Sequence, residues 1–521
     1  MISRRRFLGA LGGTGVAAAA GFAGRGWFTG ETAGELLTSS LPLPEPFRVP
    51  FPVPAVARPG RAGLYEVVQR RARVEIVPGT TTEVWGYGGT FPGPTFEARR
   101  GKGLTLRVRN ELPVPTSTHL HGGVTPPESD GYPTDLIVPS GLDFRPASGG
   151  GHSHHQHHTM TVDPSQWRLH RAVRDYVYPL DQQAATLWYH DHRMDFTGPQ
   201  VWRGLAGFLL VRDEEEDALP LPGGERDLPL MICDRAFDED GAFRYPSVDP
   251  RLLGVPGVTG AYMAGVEGDV ILVNGAPWPE LEVSATRYRL RFLNASNARR
   301  YRLRLSHGAR FVQIGSDAGL LDRPLEHATI TLAPAERLDV IVDFSAHPVG
   351  TAVTLTNELG RGSTRNVMRF RVARKARDDS AIPVRLSRAA PADRAKATVT
   401  RTFDFRRTGG QGGTAAWTID GKPFRPGVPL AGPRLGTMEV WRFVSDFHHP
   451  VHVHLAHFQV LARNGRPPAP TDVGWKDTVD VRPYEVVDVL ARFTGYKGRY
   501  MMHCHNLEHE DMAMMADFEV T

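Results

Sequence analysis

A stretch of eleven residues occurs twice in this chain, as PAERLDVIVDF from Pro334 to Phe344 and as PYEVVDVLARF from Pro483 to Phe493. Both read P-x-E-x-x-D-V-x-x-x-F, and they stand 149 residues apart, which is one domain length. The chain is therefore built from a repeated unit. Downstream the second copy runs into GRYMMHCHNLEHEDM, whereas the first gives GTAVTLTNELG, with threonine or asparagine where the cysteine would fall. Residues 45–212 also place a His pair after a long alternating strand and end in TLWYHDH. The order is a ligand-bearing unit, a bare one, and a ligand-bearing one.

The units read as all-β. Alternation of apolar and polar residues, the signature of a half-buried strand, recurs in LTLRVRN (104–110), RYRLRFLN (287–294) and MEVWRFV (438–444). Sustained helical periodicity is confined to SQWRLHRAVRDY (165–176). With 55 Gly and 42 Pro punctuating short strands, antiparallel β-sandwiches are expected. Boundaries fit at DEEEDALPLPGGERD (213–227) and in the charged, Pro/Ala-rich stretch 374–398, with the acidic run Asp213 to Asp217 read as a solvated linker.

A net charge of +4 on 521 residues, with the basic side chains scattered, gives no basic face for nucleic acid. At the N-terminus Ser3-Arg4-Arg5-Arg6-Phe7-Leu8 precedes a Gly/Ala-rich apolar run, with no acid before Glu31. This resembles a twin-arginine export signal, taken to span residues 1–34 with cleavage between Ala20 and Gly34. Its Gly and Ala gain little from a bilayer, so no stable membrane insertion is expected once it is removed. The expected destination is the periplasm, the cell envelope or the exterior. The two cysteines, Cys233 and Cys504, allow one disulfide at most. Cys233, inside LPLMICD, reads as a buried small hydrophobe.

The residues that carry chemistry fall into four short words: THLHG (His119, His121), WYHDH (His190, His192), HPVHVH (His449, His452, His454) and HCHNLEHEDMAMM (His503, Cys504, His505, His509, Met514). On a strand, alternate side chains share a face, so each H-x-H delivers two imidazoles to one side of a sheet edge. The same geometry sends Cys504 to the face opposite His503 and His505, and one strand would serve two metal centres. Cys504, His509 and His449 supply the His₂Cys donors of a type 1 blue-copper site, with Met514 as long axial ligand. The other eight histidines, His119, His121, His190, His192, His452, His454, His503 and His505, suit a cluster of three coppers. Zinc hydrolysis fits poorly with a thiolate inside H-C-H and a methionine beyond it. His448 and His457 beside the third word read as packing or supporting residues.

Together with PGPTF (Pro92 to Phe96), HLHGGVTPPESDGYP, ILVNGAPWP, RFLNASNAR, GSDAGLL, LAPAER and GWKDT, these words resemble the multicopper oxidase family. The details are most similar to its bacterial branch of spore-coat laccases, phenoxazinone synthases and bilirubin oxidases. The resemblance covers nearly everything after residue 60. It implies three cupredoxin-like Greek-key β-sandwich domains: 45–212, 225–375 without copper ligands, and 395–521 with the type 1 copper. It further implies four copper ions as the sole cofactor. His119 and His452 would hold the type 2 ion; His121, His190, His192, His454, His503 and His505 would hold the type 3 pair. Asp130 and Glu510 match acids that feed protons to oxygen, and the reduction of each O2 to two waters consumes four. Cys504 would pass electrons from the surface copper through His503 and His505 to the cluster.

The 12 methionines cluster nowhere outside Met501/Met502 and the terminal Met512 to Met515. Cuprous oxidases of the family often carry methionine-rich segments, so organic donors such as phenols, aminophenols or bilirubin-like pigments are expected to reduce a monomeric enzyme, with O2 as acceptor. A metallo-oxidase of Cu(I), Mn(II) or Fe(II) is the alternative, and a non-enzymatic copper carrier a further one. The richest histidine tract, GHSHHQHHTM (151–160), sits in an apparent insertion of Gly/Ser character and reads as a low-complexity loop outside the catalytic centre.

Overall fold

The computed structural model describes residues 33–145, 163–391, 393–409 and 415–521. The His-rich tract and the leader up to residue 32 lie outside the described residues. Among the described residues six of the eight sheets form three pairs, and each pair repeats one connectivity. In the first, strand Leu64–Val74 runs parallel to Leu104–Asn110 in one sheet, and Phe96–Arg99 runs parallel to Ala206–Arg212 in the other. The middle pair repeats this with Asp227–Phe237 beside Arg287–Asn294 and Glu280–Ser284 beside Asn366–Arg374. The last does so with Ala397–Gly409 beside Met438–Ser445 and Pro429–Ala431 beside Met515–Val520. Parallel neighbours cannot be joined by a hairpin. The chain must therefore cross between the two sheets of each pair, which makes each a Greek-key sandwich. The three alternating stretches of the sequence occupy the same place in the three sandwiches.

The repeated motif is structural. Strands Arg337–Asp343 and Val486–Arg492 each lie between two antiparallel partners in the first sheet of their sandwich. Ala335 and Tyr484, at the x of P-x-E, both take left-handed backbone, with φ of 71° and 59°. The motif glutamates close this turn: Glu336 accepts from Ala333 N–H at 2.7 Å and Glu485 from Arg482 N–H at 3.0 Å. The motif aspartates pair with arginines of the next strand, Asp339 with Arg289 and Asp488 with Arg442.

Two local expectations are corrected. Residues 165–176 are not helical but form a short turn, Pro164–Gln166, and strands Arg168–Arg171 and Val173–Tyr178. Left-handed backbone at Ala172 separates the strands. The inward residues of the second are Arg174, Tyr176 and Tyr178, and the buried arginine, held by Asp135 at 2.5 Å, disguises the alternation. The acidic run is not a solvated linker either. It forms a one-turn helix, Glu214–Asp217, whose Glu216 is buried against Arg289 and Arg291 of the middle sandwich at 2.7 and 3.2 Å. The run thus clamps two sandwiches together. The leader expected to reach residue 34 overlaps Ala33, which is buried in the fold. Among the described residues no helix is long and apolar enough to cross a membrane.

Candidate metal centre

The first two histidine words lie side by side. Strand Thr118–His121 pairs antiparallel with Ala185–Asp191, placing His119 opposite His190 and His121 opposite Trp188. The other two do the same: His449–Val453 pairs with Gly498–Cys504, with Val451 opposite Cys504 and His452 opposite His503. The two pairs of words bring histidines of the first and third sandwiches together. Their side chains gather into His121/His190/His505, His192/His454/His503, His119/His121/His452 and His449/Cys504/His509, with donor atoms in each group within 4.8 Å of one another. None of these groups draws on residues 227–374.

Hydrogen bonds set which ring nitrogen each imidazole presents. His119 Nδ1 donates to the Asp130 carbonyl at 2.5 Å, His190 Nδ1 to Asp191 O at 2.8 Å and His452 Nδ1 to Asp477 O at 2.9 Å. Their Nε2 atoms are buried without a protein partner. His121 is turned the other way: Nε2 meets Asp477 Oδ1 and Thr478 Oγ1, both at 3.0 Å, leaving Nδ1 unpartnered. His454 Nδ1 donates to Asp130 Oδ2 at 2.7 Å, and its Nε2 lies 3.2 Å from His503 Nε2. His192 Nε2 is 3.4 Å from the same atom. Converging, bare imidazole nitrogens in a buried space are the donor pattern of metal sites, so the residues present fit copper.

Two acids lie against these rings. Glu510 places Oε2 3.1 Å from His503 Nδ1 and Oε1 3.4 Å from His192 Nδ1. Asp130 touches both His119 and His454, and burial pushes its carboxyl up to about 8. Its position depends on Gly131, at φ +77°, where a Cβ would lie 2.2 Å from the Thr118 carbonyl. Only glycine lets this turn rest on the THLH strand.

The group His449/Cys504/His509 lies in the core of the third sandwich. His449 Nδ1 and His509 Nδ1 are 3.1 Å apart, and Cys504 Sγ is 3.4 and 3.6 Å from them. His509 Nε2 donates to the Ala264 carbonyl at 3.1 Å, and the Trp417 ring stacks on His509 at 3.7 Å. Met514 is fully buried in the same core, and its carbonyl accepts from Cys504 N–H at 3.1 Å. Burial pushes the Cys504 thiol well above its ordinary range, so metal binding there must displace a proton. Burial likewise pushes His119, His121, His192, His454, His505 and His509 well below 6.5 and His190 down to about 3. All stay in the neutral form that binds metal.

The structure brings together every histidine of the four words, with Cys504, Asp130 and Glu510. His457, expected to pack or support, donates to the Gly122 carbonyl at 3.1 Å. Several supporting residues had no sequence role. Asp477, from GWKDT, holds His121 and is itself held by Arg337 Nη2 at 2.5 Å. Burial opposes its ionisation, but Arg337 and His121 outweigh it and hold Asp477 well below the carboxylate range. Trp188 stacks on His190 at 4.3 Å, and Asn506 N–H points at Cys504 Sγ from 3.4 Å. The motifs LAPAER and GWKDT signalled Arg337 and Asp477 as family detail, without a contact to assign to them.

Comparison with known proteins agrees with this geometry. Family models described as multicopper oxidase match residues 69–148, 152–216 and 396–521. A laccase of Bacillus stratosphericus is 37% identical over 91% of this chain and 99% of its own length. A bilirubin oxidase of Albifimbria verrucaria is 33% identical over 91% of this chain and 81% of its own. The crystal structure of a laccase from Pediococcus acidilactici superposes with a TM-score of 0.77 at 30% identity, covering 93% of this chain and 95% of that one. The three Greek-key sandwiches are cupredoxin-like, the buried imidazole and thiol donors are those of copper sites, and the chain belongs to the multicopper oxidase family of copper-dependent oxidoreductases.

Proposed function

We propose that this enzyme couples one-electron oxidation of phenolic, aminophenolic or related organic donors to the four-electron reduction of O2 to water. In this reading His449, Cys504, His509 and Met514 hold a type 1 copper. His119 and His452 hold the type 2 ion, and His121, His190, His505 with His192, His454, His503 hold the type 3 pair. The three domains are 45–212, 225–375 and 395–521. Bound copper supplies one-electron redox steps, and four ions together store the four electrons that O2 requires. The observation that carries the reading is the H-C-H of a single strand end, where Cys504 faces His449 and His509 while His503 and His505 join separate imidazole groups. Cys504 thereby gives electrons a covalent route between the two centres. Asp130, at His454 Nδ1, and Glu510, beside His192 and His503, stand where protons for oxygen must enter. The Ser-Arg-Arg-Arg leader supports export by the twin-arginine route to the periplasm, envelope or exterior, with the enzyme acting as a monomer.

The test is oxygen uptake by copper-loaded protein given 2-aminophenol, 2,6-dimethoxyphenol or Cu(I). Turnover with the organic donors is expected. Turnover with Cu(I) alone would assign the chain to metal oxidation, and none with any donor would leave a copper carrier.

A further inference from the structure

Residues just beyond the leader form part of the fold. Strand Glu35–Leu37 runs parallel to Val266–Gly268, with Glu35 opposite Val266. Ala33 and Leu37 are 1% and 6% exposed. Ala33 N–H donates to Glu267 Oε1 at 3.3 Å, Glu35 N–H to Gly265 O at 2.9 Å, and Ser39 Oγ to Asp269 at 2.6 Å. A Cβ on Gly34 would lie 2.8 Å from the carbonyl carbon and oxygen of Gly265, so the two backbones are in direct contact.

The loop under this strap builds the mononuclear site from outside. The Ala264 carbonyl accepts from His509 Nε2 at 3.1 Å and from Asn506 Nδ2 at 3.0 Å. The Met263 carbonyl accepts from Trp417 Nε1 at 3.2 Å, and Trp417 stacks on His509. Asn506 Nδ2 also donates to the Ala33 carbonyl at 3.3 Å, while Asn506 N–H points at Cys504 Sγ. The Asn506 carboxamide thus ties the strap to the carbonyl that orients a ligand ring, and the backbone N–H of the same residue faces the sulfur.

We infer that Ala33–Leu37 is a positioning element of the type 1 site, acting through Asn506 on Cys504 and through Ala264 on His509. The inference rests on the type 1 reading of His449, Cys504 and His509. An N–H dipole aimed at the thiolate favours the electron-richer, reduced state, and hydrogen bonding around this sulfur tunes the potential of such sites. Loosening the strap should therefore lower the potential. The test compares copper-loaded chains beginning at Ala33 and at Ser39 with full-length Gly34→Val. Blue absorbance per bound copper, the reduction potential and the melting temperature of the copper-free form are measured for each. The chain from Ala33 should match the full-length protein. The chain from Ser39 and Gly34→Val should lose blue absorbance and shift to lower potential while still binding copper at the imidazole cluster. Should the shorter chain fail to fold, Gly34→Val and Asn506→Ser decide the matter by the same spectral and potential shifts. Unchanged blue absorbance and potential with a lower melting temperature would reduce the strap to a brace and overturn the inference. A copper-loaded chain from Ala33 with no blue absorbance would instead refute the type 1 assignment, and the inference with it.

Discussion

Arg337 and Asp477 form a buried ion pair, 2.5 Å between Nη2 and Oδ2, that carries the middle sandwich into the metal centre. Asp477 also holds His121 of the first sandwich at 3.0 Å, so one carboxylate from the third sandwich ties all three together. Partners of this kind fix a ligand's tautomer, and their loss costs about 10- to 100-fold in metal affinity. Asp477→Asn should weaken copper retention by His121, His190 and His505 to that degree while leaving the blue absorbance intact. Equilibrium dialysis against a competing chelator measures this. Copper retention equal to wild type would remove Asp477 from the supporting role.

In the proposed reading Cys504→Ser removes both the thiolate ligand and the route of electrons to His503 and His505. Blue absorbance and oxidase turnover should disappear together. Turnover surviving without the blue band would refute the electron route. His509→Ala should impair electron entry and spare copper binding by the imidazole cluster, as metal analysis would show.

The Glu216 clamp gives a pH dependence of defined sign. Burial raises its pKa, but Arg291, Arg289 and Arg212 outweigh that and hold it down to about 2, below the ordinary 4.5. A depressed folded-state pKa contributes stability above the unfolded value, lost as pH falls through the folded one. At about 1.4 kcal/mol per unit this is on the order of 3 kcal/mol at neutral pH. Glu216→Gln should lower the melting temperature at pH 7, and its difference from wild type should shrink as pH falls from 4.5 toward 2. A constant difference across that window would refute the charge account.

Copper itself should stabilise the assembly. Four imidazoles of the cluster come from the first sandwich (His119, His121, His190, His192) and four from the third (His452, His454, His503, His505). A ligand that binds only the folded chain adds about 4 kcal/mol at a thousandfold excess over its Kd. Stripping the metal should lower the calorimetric midpoint by several degrees and separate the unfolding of the first and third sandwiches. Identical transitions with and without copper would contradict a ligand set shared between them.

The strands and the four words were legible because both rest on a period of two, a local property of the sequence. Even the repeat declared its position, since P-x-E and D mark the same turn and the same arginine partner in two sandwiches. What escaped was whatever depends on long-range pairing. Asp477 and Arg337 lie hundreds of residues from His121, and the motifs that contain them carry no sign of the contact. Glu216 looked solvated because its counter-charges, Arg289 and Arg291, sit on another strand. Arg174 hid a strand by facing inward. Ala33 and Gly34 share the composition of the leader before them, and only their contact with Gly265 separates the two.

The bare sandwich offers an engineering opening. In its second sheet, strands Ala352–Asn357 and Tyr301–Leu305 stand in the order that Gly498–Cys504 and His449–Val453 hold in the third. The strand frame of the thiol and one imidazole is thus already present, with Asn357 in the register place of Cys504 and Tyr301 in that of His449. A designer wishing to add an electron-storage centre would start from paired strands already in place and would have to rebuild the turn Gly362–Arg365, which follows the strand where the third sandwich has the helix that carries His509.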